Sequence, residues 1–298
     1  MSQAPLGRAW RRFLSHRAAV ASVFVLGAIA LAALAAPVFA AATGHDPFAP
    51  DLFNRYAPPS GAHPLGTDEL GRDLVLRLLY GARVSLAVGI VAALVAALIG
   101  TVIGLAAAWF GGLIDAVLMR LADGLIALPS LPLLIVLAAV DPARLGLPRG
   151  AMWLDLARIV VIIALFGWVK VARLARAAAL SILARDYARA AIALGASGGR
   201  VLWRHVAPNL AAHVTVASTQ TVGAVILLES VLSFLGLGIQ PPTPSWGNML
   251  AGAQELVFAA PMAAVWPGLL IFTTVVATNF IGDGLADALD PRAELHRR

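Results

Sequence analysis

The sequence predicts an all-α, polytopic membrane protein with six transmembrane helices. Three observations support this fold class: 60% of the 298 residues are hydrophobic, only 13% are charged, and the mean hydropathy is +0.85. An ordinary soluble domain has about 25% charged residues and could not bury so much apolar surface. The apolar segments also lack the alternation of membrane-barrel strands. Composition therefore excludes a disordered chain, a disulfide scaffold and an ordinary cytosolic enzyme.

Six segments are apolar and long enough to cross a bilayer, which requires about 20 residues per helix. The predicted spans are Ala18–Ala42, Val84–Ile114, about Ala116–Val140, about Met152–Ala172, about Asn209–Leu235, and a sixth from about Ala263 to Gly282. The fourth has the weakest hydropathy. The first could be a cleaved signal peptide, but it is longer than the usual apolar region of about 7–15 residues. We therefore expect a retained anchor.

Arginine placement predicts the orientation, because cytoplasmic loops carry an excess of basic residues. Both the N-terminal tail and the loop before the fifth span are rich in arginine, whereas the segment after the first span has balanced charges. The predicted organisation is a cytoplasmic basic N-terminus 1–17, a first transmembrane helix 18–42, an external segment 43–83, a transmembrane core 84–285 that includes the cytoplasmic basic loop 173–208, and a cytoplasmic tail 286–298. The net charge of +6 then reflects topology, and we expect no nucleic-acid binding.

Several kinds of catalytic site are missing from the sequence. A P-loop needs a glycine-rich stretch that ends in a lysine, but the only lysine is Lys170, between Val169 and Val171. The six histidines form no H-E-x-x-H motif and no pair at helical metal spacing. One G-x-S-x-G match, at 195–199, follows a helical pattern rather than a strand, which favours a turn. We expect no catalytic residue, cofactor or metal site, so any ATPase must be another chain.

The basic loop 173–208 is predicted to contain two short helices separated by a glycine-rich turn. The first covers Ser181–Leu194, and Gly195 would end it because glycine accepts the left-handed conformation. Ser197 would cap the second helix, and Pro208 would break it before the fifth span. This helix–turn–helix elbow is either an amphipathic element held at lipid headgroups by arginine or a knob that docks a soluble partner.

The loop also resembles the EAA loop of ABC-importer permeases, in which the pattern EAA-x-x-x-G is followed by a proline. Arg189, Ala190 and Ala191 occupy the EAA positions, with Gly195 at the required spacing and Pro208 beyond. Arginine stands where the family pattern has glutamate. The spacing of the motif is therefore kept, but a positive charge replaces a negative one. The resemblance implies an ATPase-coupling loop formed by Asp186, Arg189, Ala190, Ala191, Gly195, Ala196, Ser197 and Pro208.

Two further stretches, His63–Leu86 and Leu228–Leu250, resemble the dipeptide/oligopeptide/nickel branch of these permeases, as does the N-terminal region. The resemblance implies a type I ABC-importer permease fold and a subunit that moves peptides, or a solute such as a nickel chelate, across the bacterial inner membrane. It also implies a second homologous permease, an external solute-binding protein, and two ATP-binding cassette subunits that bind ATP and magnesium. The alternatives are a secondary transporter or channel without an ATPase, and a membrane-embedded enzyme.

The two stretches also carry structural expectations. Thr67 or Asp68 is a plausible N-cap for an amphipathic helix on the outer surface, and Trp246 suits a re-entrant or surface helix within 238–262. Glu229 is the most costly residue in the bilayer region, and it either marks function or anchors helices by hydrogen bonds. Arg120 and Asp123 can pair locally. The candidates for a translocation pathway or gate are Glu229, Gln220, Ser233, Trp246 and Asn248.

Overall fold

The computed structural model describes residues 5–140, 152–251 and 260–289. Most of the predicted tail 286–298 and the stretch 252–259 of the predicted outer segment lie outside these ranges. Ten α-helices occur in the described parts of the chain: α1 Pro5–Ser15, α2 Arg17–Thr43, α3 Leu74–Phe110, α4 Gly112–Ala127, α5 Ser130–Ala138, α6 Met152–Leu183, α7 Asp186–Ala193, α8 Gly198–Val201, α9 Ala207–Phe234 and α10 Pro261–Leu289. The only β pairing in these ranges is an isolated bridge between Thr67 and Asp73.

Five helical units in the described ranges are long and apolar enough to cross a membrane: α2, α3, α6, the continuous stretch from α8 to α9, and α10. The predicted third span, Ala116–Val140, is instead split into α4 and α5, which are bent by 87°. Pro129 explains the break, because a proline disfavours helical backbone at the residue before it, and Leu128 is extended. Six spans result if this bent pair is one span.

The second span begins ten residues earlier than predicted, at Leu74, and there is no separate amphipathic helix before it. Asp73, rather than Thr67 or Asp68, is the N-cap, since its Oδ1 accepts a hydrogen bond of 2.9 Å from the Leu76 amide. Gly71 precedes the helix in a left-handed turn with φ of 75°. Any Cβ there would overlap the carbonyl oxygen of Asp51, so the turn requires glycine.

The fourth span is also longer than predicted. Helix α6 continues to Leu183, so the first residues of the predicted loop 173–208 are helical. Two arginines of this extension pair with α4: Arg176 binds Asp115, and Arg173 lies 3.6 Å from Asp123. Asp123 therefore pairs across helices rather than with Arg120.

Pro208 does not break the chain before the fifth span. A π-helical turn, Leu202–Val206, joins α8 to α9, and the Ala207 amide donates to the Leu202 carbonyl five residues back. The wider turn gives room for the proline ring, which clashes with the preceding turn in a regular helix. The second helix of the elbow and the fifth span are therefore one continuous helical unit of 37 residues, Gly198–Phe234.

The largest helix contact joins α3 and α6, which run parallel. Small residues let the backbones approach closely: a Cβ on Gly100 would lie 2.6 Å from the Trp168 carbonyl oxygen, and one on Gly104 would lie 2.5 Å from that of Ala172. This is the small-xxx-small pattern of membrane helix pairs. The sequence shows this pattern in the four-residue spacing of Gly100 and Gly104.

The remaining helices surround this pair. Helices α9 and α10 run antiparallel, and Gly223 packs against Thr278. Helices α1 and α2 pack on the end of α10, where Gly284 meets Ala19 and His16 lies 3.8 Å from Asp287. The described beginning and end of the chain therefore lie on the same side of the bundle.

Candidate functional site

The elbow, residues 184–206, connects α6 to α9 through α7, a glycine turn, α8 and the π turn. Gly195 ends α7 with φ of 82°, and the Ala196 amide donates to the Ala191 carbonyl at 3.0 Å. Helix α7 starts five residues later than predicted, at Asp186. Ser197 stands at the N-cap of α8, as predicted, but its side chain makes no capping hydrogen bond.

One face of the elbow is anchored to the bundle. Ala188 and Val201 are fully buried, and Val201 and Val206 pack in a cluster with Ala175 and Ala179 of α6. Gly198 lies so close to α3 that a Cβ there would overlap the indole ring of Trp109. The elbow therefore contacts the ends of both α3 and α6.

The opposite face of α7 is exposed. Tyr187, Ala190 and Leu194 share this face at helical spacing, and Leu194 is 88% exposed. Asp186 and Arg189 beside them are also exposed, whereas Ala191 and Ala196 are partly buried. An apolar surface rimmed by charge is typical of a protein or membrane interaction site. The structure thus separates the predicted coupling residues into exposed and anchoring groups.

The other end of the bundle is covered by the loop layer, residues 44–73 and 235–251. Glu229, near the end of α9, has no exposed surface. Its Oε1 accepts a hydrogen bond of 2.7 Å from Ser233 Oγ, and its Oε2 accepts one of 3.3 Å from Ser85 Oγ. Ser233 Oγ in turn accepts from the Ile239 amide, and Ser85 Oγ accepts from the Trp246 amide. Glu229 thus connects α3 and α9 to the loop layer.

Trp246 and Asn248 belong to the same cluster. Trp246 is fully buried and donates from Nε1 to the Leu78 carbonyl at 3.1 Å, so it is a packing residue rather than one at the membrane interface. Asn248 donates from Nδ2 to the carbonyls of Ile239 and Thr243. Gln220 lies elsewhere, with its Nε2 3.3 Å from Oδ1 of Asp283 in α10. Four of the five predicted pathway residues are therefore brought together, but in a closed structural cluster.

A buried ionic network, which sequence analysis missed, fixes the loop layer to α3. Asp68 accepts from Arg72 at 2.8 Å and lies 3.5 Å from Arg77 Nε. Arg77 also donates to the Pro242 carbonyl at 3.0 Å, so the network joins both parts of the loop layer. All three charged side chains are at least 93% buried. The sequence shows the spacing of these charged residues, but only the fold shows that their side chains are buried.

A groove of about 660 Å³ lies between α2, α3, α9 and α10. Its walls are largely apolar, with hydroxyl-bearing residues on α3, α9 and α10. The hydroxyl-bearing residues are Thr101, Thr215, Ser218, Thr219, Thr274 and Thr278. Such a surface could accommodate a small solute or a further helix.

The chain is similar to known proteins over almost its whole length. Residues 100–295 match the family described as binding-protein-dependent transport system inner membrane component, and residues 4–59 match the N-terminal TM domain of oligopeptide transport permease C. The glutathione transport system permease of Pectobacterium atrosepticum is 40% identical over 95% of this chain and 90% of its own length.

Two further relatives show similar coverage. The oligopeptide transport system permease of Bacillus subtilis is 37% identical over 94% of this chain and 88% of its own. The dipeptide transport system permease of Alkalihalophilus pseudofirmus is 35% identical over 97% and 90%. This similarity implies ATPase and substrate-binding partners and a multi-pass inner-membrane location, and it displaces the alternative of a secondary transporter or channel. The chain belongs to the binding-protein-dependent transport system inner membrane components, as a permease subunit of an ABC importer.

Proposed function

We propose that this permease imports peptides or a small peptide-like solute, and that the elbow is the docking site for an ATP-binding subunit. The relatives named for glutathione, oligopeptides and dipeptides favour a peptide-type cargo over a nickel chelate. In this proposal, one copy of the chain pairs with a second homologous permease. Two ATP-binding cassette subunits bind the elbow side with ATP and magnesium, and a solute-binding protein approaches the loop layer.

The orientation in this proposal follows from charge. The elbow carries exposed arginines, and the first helices begin on the same side of the bundle. Since arginine-rich loops remain cytoplasmic, both described ends of the chain face the cytoplasm and the loop layer faces outward. The elbow is then exposed on the cytoplasmic side of the membrane, where the ATP-binding subunits hydrolyse ATP.

The exposed face of α7 is the observation that carries the docking proposal. Tyr187 and Leu194 are both exposed beside charged residues, and a partner surface would cover this apolar face. The elbow is also joined to the bundle at defined points, since Gly198 contacts Trp109 and the π turn continues into α9. Movement of the docked subunits would therefore reach α3, α6 and α9 directly.

Transport then consists of a shift between two packings of the same helices, driven by a partner that binds one packing better. We propose that the hydroxyl-lined groove contributes to the solute path. Gln220 and Asp283 lie on the helices that form the groove, and their side chains are exposed. We assign Glu229, Ser233, Trp246 and Asn248 to holding the loop layer in place, because they donate to and accept from one another or the adjacent backbone.

A pull-down from native membranes tests the docking proposal. The tagged chain should capture ATP-binding cassette subunits and a second permease, and vesicles that contain the complex should take up peptide only with ATP. Gly195→Trp should reduce both capture and uptake, because it places an indole on the exposed turn. Gly195→Ala is the matched control, since it introduces the strained left-handed conformation, about 1 kcal/mol, without the bulk.

Two outcomes would contradict the proposal. Normal capture and uptake by Gly195→Trp would show that the elbow is not the docking site. Equal losses in Gly195→Trp and Gly195→Ala would assign the effect to backbone strain.

A further inference from the structure

Two histidines and an aspartate meet at the junction of α2, the loop layer and α3. His45 follows the glycine that ends α2, His63 lies in the loop layer, and Asp73 caps α3. One potential ligand atom from each side chain lies within 4.8 Å of the other two. The two imidazole rings stack with centroids 4.6 Å apart, and His63 Nδ1 lies 2.9 Å from Asp73 Oδ2. The fold thus assembles a cluster that no spacing in the sequence reveals.

We propose that His45, His63 and Asp73 bind one divalent transition-metal ion, with Zn²⁺ the best match. Two imidazoles and one carboxylate are a donor set that suits zinc, with a fourth position left for water. Zinc bonds of about 2.0–2.2 Å place neighbouring ligand atoms of a tetrahedron about 3.3 Å apart. The present separations, from 2.9 Å up to at most 4.8 Å, span this value, so the ligand atoms need shifts of no more than about 1.5 Å to reach it.

A second observation points to a ligand at this place. The Nδ1 atom of His45 is buried and has no hydrogen-bond partner among the residues that the structure describes. Buried polar atoms without partners are uncommon in folded proteins because they lose their contacts with water. A metal ion bound at Nδ1 of His45 would supply the missing interaction.

Asp73 is already fixed in position for such a role. Its side chain is 2% exposed, and its Oδ1 is used by the Leu76 amide, which leaves Oδ2 directed at His63. Metal binding would replace the proton that His63 and Asp73 share in this contact.

The site would connect two parts of the protein that match different family models. Helix α2 belongs to the N-terminal region 4–59, whereas α3 runs into the main region 100–295. A bound ion would join the end of α2 to the start of α3, on the face we assign to the solute-binding protein. Zinc would therefore stabilise this junction without taking part in ATP use.

The experiment uses the full chain, purified in detergent without a polyhistidine tag and freed of metal by a chelator. Equilibrium dialysis against Zn²⁺ alone, followed by elemental analysis, should give one ion per chain, and Zn²⁺ should raise the Tm. His45→Ala should weaken binding by at least about tenfold and remove the rise in Tm. It leaves the contact of His63 with Asp73 and the cap of α3 intact.

His213→Ala is the matched control, because His213 is exposed on α9 and lies outside the cluster. It should bind Zn²⁺ like the parent chain. His45→Gln is a second variant that keeps a polar side chain of similar size and should also lose binding. Fewer than one ion per parent chain would overturn the proposal, as would unchanged affinity in both His45 variants or an equal loss in His213→Ala.

Discussion

The loop layer and the elbow lie at opposite ends of one helix bundle and are held in different ways. In the loop layer, charged groups are buried and tied to two helices: Asp68, Arg72 and Arg77 form a network that reaches the Pro242 carbonyl. In the elbow, charged groups such as Arg189 are exposed, and the contacts to the bundle are made by small or apolar residues. The comparison indicates one end built to keep its shape and one built to present a surface.

The largest effect is expected at the buried network. Asp68→Asn leaves two arginines without their shared partner and should lower the free energy of unfolding by about 3–5 kcal/mol, since breaking a buried ion pair is strongly destabilising. Unfolding in mixed micelles with increasing SDS would measure it. Glu69→Gln is the control, because Glu69 also contacts Arg72 but is 49% exposed. It should cost less than about 1 kcal/mol, and similar losses in both variants would contradict the contrast.

A second prediction tests the helix pair that joins the two ends. In Gly104→Ala the added methyl meets the Ala172 carbonyl and Ala175 Cβ. Overpacking of this kind should cost about 1–3 kcal/mol. Gly27→Ala in α2, where a Cβ meets nothing within 4 Å, should be neutral or slightly stabilising. The same unfolding measurement checks both, and a neutral Gly104→Ala would mean that α3 and α6 are loosely packed.

The two ends also differ in how far the sequence could predict them. Near the elbow, local rules were sufficient to place a turn at Gly195, because a glycine after a helical pattern is a local feature. The loop layer depends on contacts between distant residues, such as Glu229 with Ser85 and Arg77 with Pro242. No local pattern reveals these contacts. The predicted N-cap, Thr67 or Asp68, was also wrong, since Asp73 caps α3.

The helix bounds show a similar division. Each predicted span overlaps one helix or, for the third, the bent pair α4 and α5. Hydropathy, however, marks the apolar stretch rather than the whole helix. Helix α3 therefore begins ten residues before the predicted second span, and α6 ends eleven residues after the predicted fourth. The break at Pro129 could have been predicted from the proline itself. Continuation of the helix through Pro208, in contrast, depends on the π turn Leu202–Val206, which no sequence pattern predicts.

A third prediction concerns Glu229, whose two alternatives were left open by the sequence. If Glu229 holds α3, α9 and the loop layer together, Glu229→Gln should reduce stability and transport in parallel. The expected loss is about 1 kcal/mol, because the amide keeps the shape and can still accept from one serine. The measurement is the ratio of ATP-dependent uptake to the amount of folded protein, with both quantities determined on the same membranes. A loss of transport much larger than the loss of folded protein, both relative to the parent chain, would instead favour a role for Glu229 in the solute path.

The smallest effect on stability is expected at the elbow, at Leu194. Leu194→Glu should change the free energy of unfolding by less than about 0.5 kcal/mol, because the side chain makes few contacts within the chain. Capture of ATP-binding subunits should nevertheless fall, since a charge replaces an apolar contact at the proposed interface. Trp203→Gln is the control, because it alters another strongly exposed apolar residue of the elbow. If capture depends on Leu194 but not on Trp203, the docking surface is the exposed face of α7. If it depends on neither, an exposed surface at this end would have no part in coupling, and the contrast between the two ends would be one of packing alone.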